Sequence, residues 1–275
     1  MHNNLMQFLP NIPYPDNEKL KLALLENLFR EWHQHFTKNA SQLGGYNADD
    51  MLFDGFYPQY FSQKKRILFI GREAWEFYDD NYLGGLYSVY RNDNPWKLNS
   101  SPFHRRMFRL AYGIICGMPE WQKIPQAREI AGDKFGEINC LSFAFMNISK
   151  LRNQSGDSAA DWGLINAAHR LSTEGRNFIQ EEVTILQPHI VITMNLGEKV
   201  ASLGELTPIY ASGQVRSHWL VNGGHRSLLI DTWHFAAPNK TDVECFYDPI
   251  CDAIRQSEAV AATEHTGATS VADTK

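Results

Sequence analysis

Four short apolar runs, each closed by polar or turn-forming residues, mark the strands of this chain. Ile67 to Ile70 is a continuous hydrophobic stretch led in by Lys64, Lys65 and Arg66 and broken by Gly71, the pattern of a strand buried on both faces of a parallel sheet. Cys140 to Lys150 is the second run, and its polar residues Asn147 and Lys150 arrive only at its carboxyl end. Leu186 to Gly197, after a proline entry, is the third and exits at Asn195; His225 to Pro238 is the fourth and ends in Asp231, Trp233 and His234.

Helical patterning fills the intervals. A cap at Asp16 or Asn17 opens a helix to about Phe36, with Leu25, Leu28, Phe29, Trp32 and Phe36 on one stripe. Ser100 or Ser101 as cap, with Pro102 in the first turn, opens another that turns Met107, Leu110, Ala111, Ile114 and Ile115 inward and stops at Gly117. A third helical region ends near Leu186, and residues 240–256 read as helix. The segment after Trp75, through Asp79, Asp80 and Tyr87, has aromatics and turn residues without a clean period and reads as a functional loop.

Strands alternating with helices predict an α/β fold, a three-layer α/β/α sandwich around a short, mainly parallel four-stranded sheet. Right-handed crossovers bring the carboxyl ends of parallel strands to one edge, where open α/β sheets bind ligands. Glu73, Asn147, Asn195 and His234 then become candidates to meet in one cleft.

At 275 residues, 43% of them apolar, the chain can bury one full core. The expected organisation is an extension over 1–16, a single domain over 17–256 and a small, polar, disordered tail over 257–275. No apolar run is long enough to cross a bilayer, and the first residues lack the layout of a signal peptide, so a cytoplasmic protein is expected. Cys116, Cys140, Cys245 and Cys251 are scattered rather than paired as CxxC; neither a disulfide framework nor a zinc ribbon is predicted, and no cofactor. The formal charge of −5 argues against non-specific coating of nucleic acid but allows local basic faces, such as Arg105, Arg106 and Arg109, or Arg216, His218, His225 and Arg226. Gly84 to Ser88 fits neither the P-loop nor the dinucleotide fingerprint.

The ordered strand ends resemble those of the uracil-DNA glycosylase superfamily over roughly Asp54 to Pro238. Gly71, Arg72, Glu73, Ala74 and Trp75 occupy the place of its Gly-x-Asp-Pro-Tyr turn, Asn147 that of its base-reading asparagine, and His234 that of its final histidine. Leu186 to Gly197 is similar to its third strand. Ala74 stands where the family has proline, and Phe235 and Ala236 where it has Pro-Ser. The cysteine spacing does not match the iron–sulfur branches, so no metal cluster is implied.

The resemblance implies an enzyme that removes uracil or a related damaged base from DNA, with Glu73 positioning water and His234 donating to the departing base. It further implies a base pocket made by Gly71, Asn147, Trp75 and a stacking Tyr87, with Ser100, Ser101, Arg105, Arg216 and His218 on backbone phosphates. Whether Glu73 or a nearby Asp79 or Asp80 is the working carboxylate stays open. Two other readings remain: an inactive relative that binds nucleic acid or a protein, and a hydrolase of nucleotide-like molecules with Glu73 and His234 as its acid/base pair.

Overall fold

The computed structural model describes residues 12–75, 81–92, 98–156 and 159–270. The start of the expected extension, Asp79, Asp80 and residues 271–275 lie outside them. Seven strands form one mixed sheet: β1 (Gly55–Phe56), β2 (Ile67–Gly71), β3 (Ala144–Asn147), β4 (Ile190–Met194), β5 (Glu205–Ser212), β6 (Val215–Asn222) and β7 (His225–Thr232). Their order is β1-β3-β2-β4-β7-β6-β5. The helices are α1 (Lys19–Lys38), α2 (Tyr82–Asn92), α3 (Pro102–Ile115), α4 (Ala127–Ile130), α5 (Trp162–Thr173), α6 (Phe178–Leu186) and α7 (Asp248–Ser270).

The α/β class stands, but the expected four-stranded sheet is corrected to a seven-stranded mixed one. The four apolar runs became the parallel centre, β3-β2-β4-β7. Three antiparallel strands extend it: β1 pairs β3 at one edge, and β5 and β6 add to β7 at the other. These three carry weak signals. β1 has two residues, while β5 is largely exposed and holds Pro208, a residue tolerated at an edge because it lacks an N–H to give a neighbour. β6 and β7 are joined by Gly223 and Gly224, both at positive φ (56° and 79°), the two-residue hairpin turn whose twist matches the strands.

Helices cover both faces. α1, α5 and α6 pack together, with Trp32 stacked on Phe178 at 5.4 Å and its indole N–H donating to Ser172. α2 and α3 meet through Tyr90 and Phe108, and the turn leading into α7 packs on α3 through Phe246 and Tyr247. α7 continues to Ser270, past the Ser257 boundary where a disordered tail is expected; Glu258, Ala259, Ala261 and Ala262 are strong helix formers even without a large apolar face. No helix among the described residues is long and apolar enough to cross a membrane.

The topology selects one place for a ligand. From β2 the chain goes to β3 on one side and then crosses to β4 on the other, so connections diverge at the carboxyl end of β2. Such a switch point leaves a crevice between the departing segments.

Candidate active site

Gly71 closes β2 in register with Asn147 at the end of β3. A Cβ at Gly71 would lie 2.6 Å from Asn147 Oδ1 and 3.2 Å from the Phe145 ring, so only glycine lets the Asn147 carboxamide stand beside this backbone. Gly71→Ala is expected to displace that carboxamide and cut any base-dependent activity at least tenfold while changing the urea midpoint little; unchanged kinetics would remove Asn147 from the site.

Beyond Gly71 the chain stays laddered to the segment after β3. Ile148 N–H donates to Gly71 O (3.0 Å), Ser149 N–H to Arg72 O (2.8 Å) and Asn153 N–H to Ala74 O (2.8 Å). This sheet-like continuation fixes Arg72, Glu73 and Trp75 relative to Asn147. Glu73 Oε1 accepts from the Asp161 N–H at 3.1 Å and, at the 3.5 Å limit, from Asn153 Nδ2; Oε2 takes no bond from the described residues. Burial raises the Glu73 pKa above the usual carboxylate range, against the hydrogen bonds and the Arg72 charge that lower it.

Asn147 is 3% exposed, its backbone N–H donates to Asp54 Oδ2 at 2.7 Å, and its side chain meets the Tyr82 hydroxyl. Asp54 also pairs with Lys150 Nζ (2.6 Å), which pairs with Glu182 (2.7 Å), all three side chains being buried. Two carboxyls facing one ammonium would leave a buried negative charge. Burial, reinforced by Asp54, pushes Glu182 well above its ordinary pKa, against the lowering by Lys150.

His234 comes from the turn after β7. Ala236 N–H donates to its Nδ1 at 3.2 Å, which leaves the proton of a neutral ring on Nε2. Burial, with Arg72 and Arg106 nearby, pushes its pKa down to about 4, so the neutral form is the one present at pH 7. Arg106, itself buried, ties this turn to α3: it donates to Phe235 O, to Lys240 O at 2.6 Å and to Asp242 at 2.8 Å.

These groups line one cleft of about 500 Å³, within the size range of small-molecule sites. Gly71, Glu73, Trp75, Asn147, His234 and Ser101 have roles expected from sequence; Arg72 is expected at the same strand exit without a role, and Tyr82, Phe103 and His104 are not expected. Trp75 is 47% exposed and stands at the rim, and the Phe103 ring lies 5.8 Å from that of His234. Phe103 and His104 belong to the first turn of α3, and the serine-proline start was the available sign that this helix end points at the strand exits.

Tyr87 lies outside the cleft, packed on Tyr57 and bonded through its hydroxyl to Arg91. Tyr82 precedes it by five residues on α2, which is about 140° around a helix, so the two cannot face the same side. Asn195 is likewise not part of the lining: it sits at φ 58° in a turn that Asp231 closes by accepting from Thr193 Oγ1 (2.6 Å) and Leu196 N–H (3.2 Å). Arg105 is spent on Asp242 and Asn99 O. Arg216 is exposed on β6 and donates to the carbonyls of its own turn, His218 is half-buried beside it, and Ser100 is exposed before α3. No group of three or more His, Cys, Asp or Glu among the described residues is placed to hold a metal ion.

No protein-family model matches this chain, and no curated protein does.

Proposed function

We propose that the cleft encloses a flipped nucleotide and that the chain is a monofunctional DNA glycosylase, hydrolysing the N-glycosidic bond of uracil or a related damaged base. One observation carries this reading: a carboxylate, a carboxamide and a neutral imidazole, delivered by three different strand exits, line the same cleft. Extrusion of the base into a pocket that reads its edge and stacks on its ring is what such chemistry requires. Asn147 both donates and accepts, matching O4 and N3–H of uracil. Phe103 takes the stacking role expected of Tyr87, and Trp75 at the rim crowds the C5 side.

Cleavage builds positive charge on the sugar and negative charge on the base. Glu73 Oε2 orients water toward C1′; the water oxygen bonds to C1′ as the C1′–N1 bond breaks, its proton leaves to the carboxylate, and the electron pair departs with the base. His234 Nε2–H donates to O2. Ser101, at the free N–H groups that begin α3, suits the adjacent phosphate, and Arg216 stands further along the sheet edge.

Single- and double-stranded oligonucleotides carrying one uracil test the proposal. Abasic product is expected; tight binding without product identifies a nucleic-acid-binding relative, and neither result leaves a hydrolase of nucleotide-like molecules. The pH profile adds a second test. Glu73 acts ionised, so activity is present above its raised pKa and lost as pH falls through it, placing the acid limb above the ordinary glutamate value of about 4.3. His234→Gln should lower the rate yet keep that limb, and a limb that disappears in this variant assigns it to the histidine.

A further inference from the structure

Among the described residues, Arg72 is the one strong cation in the cleft lining. Its backbone is fixed by the Ser149 N–H, and its guanidinium lies over the Trp162 ring at 5.0 Å. Its Nε is buried with no hydrogen-bond partner among the described residues. The carboxylates near enough to attract it, Glu73 and Asp231, do not hydrogen-bond to it. Glu73 takes its hydrogen bonds from Asp161 and Asn153, and Asp231 takes its own from Thr193 and Leu196. Arg72 as a whole is half-buried, and a guanidinium whose Nε–H is buried and unmet is costly unless something else meets that donor.

We propose that Arg72 is the anchor for the departing base, receiving it as a planar, cyclic imide anion at the same point where His234 offers its N–H. This rests on the glycosylase reading and names the charge on which its second half turns. A neutral imidazole alone must stabilise a full anion by one hydrogen bond, whereas a guanidinium adds a charge-assisted donor and a positive field. Burial first, and then the charges of Arg72 and Arg106, hold His234 below its ordinary pKa, and a positive charge that disfavours a proton on the ring favours an anion beside it. Trp162 holds the guanidinium by its face, leaving the edge donors free.

The experiment has two arms. In the first, wild type, Arg72→Gln and Arg72→Lys are titrated calorimetrically with uracil and with 5-nitrouracil, which is acidic enough to be anionic near neutral pH. Wild type should bind the anion more tightly, and Arg72→Gln should lose about 10- to 100-fold of that preference, with Arg72→Lys retaining part of it. A preference absent from wild type, or unchanged in Arg72→Gln, overturns the proposal, whether or not the protein cleaves DNA. Should Arg72→Gln fail to fold, the loss in Arg72→Met is read instead, and thermal melts identify the case.

In the second arm, turnover is measured on DNA carrying uracil or 5-fluorouracil. Arg72→Gln should slow release of uracil at least tenfold more than release of the more acidic fluoro base, which leaves more easily. An equal loss on both bases means Arg72 holds the sugar-phosphate rather than the leaving group and overturns the proposal. If wild type releases neither base, the glycosylase reading fails while the first arm still decides whether Arg72 binds the anion.

Discussion

Lys150→Met is expected to destabilise the fold by about 3–5 kcal/mol, the usual cost of removing one partner from a buried ionic group. The ammonium is fully buried, 2.6 Å from Asp54 and 2.7 Å from Glu182, with the Phe29 and Trp32 rings around it. Methionine fills similar space but leaves two carboxyls facing each other. Glu182, which burial and Asp54 already raise and Lys150 lowers, then holds its proton more tightly still, so folding takes up protons and the deficit narrows as pH falls. Urea unfolding at pH 8 and pH 5 reads this directly: the gap between variant and wild type should be wider at pH 8. Equal midpoints at both values would show that the pair of acids is not what Lys150 holds. Because Asp54 also accepts the Asn147 N–H at 2.7 Å, activity should fall further than the folded fraction does.

Glu73→Gln and His234→Ala are each expected to reduce glycosylase turnover by about 10²- to 10³-fold, the range for removing one positioned donor or base. Glutamine keeps the size of Glu73 and can still accept from the Asp161 N–H, so the protein should fold normally and the loss should lie in kcat. Combining the two should cost less than the product of the single losses if they act in one transition state. A variant with full turnover would take its residue out of the mechanism.

The parallel centre of the sheet was legible because its strands are buried on both faces, which forces continuous apolar runs such as Ile67 to Ile70. The antiparallel flank was not, because half-exposed strands alternate and β5 even contains Pro208. Asn222, Gly223, Gly224 and His225 carried a hairpin signal that the alternation around them obscured. α2 was hidden in the same way: Leu83, Leu86, Tyr87 and Tyr90 have helical spacing, but Gly84 and Gly85 interrupt it with poor helix formers.

Glu73, Asn147 and His234 were readable since topology alone brings parallel strand exits to one edge. Phe103 and Tyr82 were harder, because which side of a helix meets a cleft depends on rotations that spacing does not fix. Lys150 looked like a polar strand exit and instead points inward, to acids contributed by the segment before β1 and by α6.

The arginine pair on α3 ties one wall of the cleft together. Arg106 grips the turn that carries His234, Arg105 shares Asp242 with it, and Phe103 begins the same helix. The Phe103 ring and the imidazole are therefore anchored to the same helix. Trp75, half-exposed, stands at the rim of this cleft. A bulky group attached there should slow entry of substrate without altering the rate of the bond-breaking step.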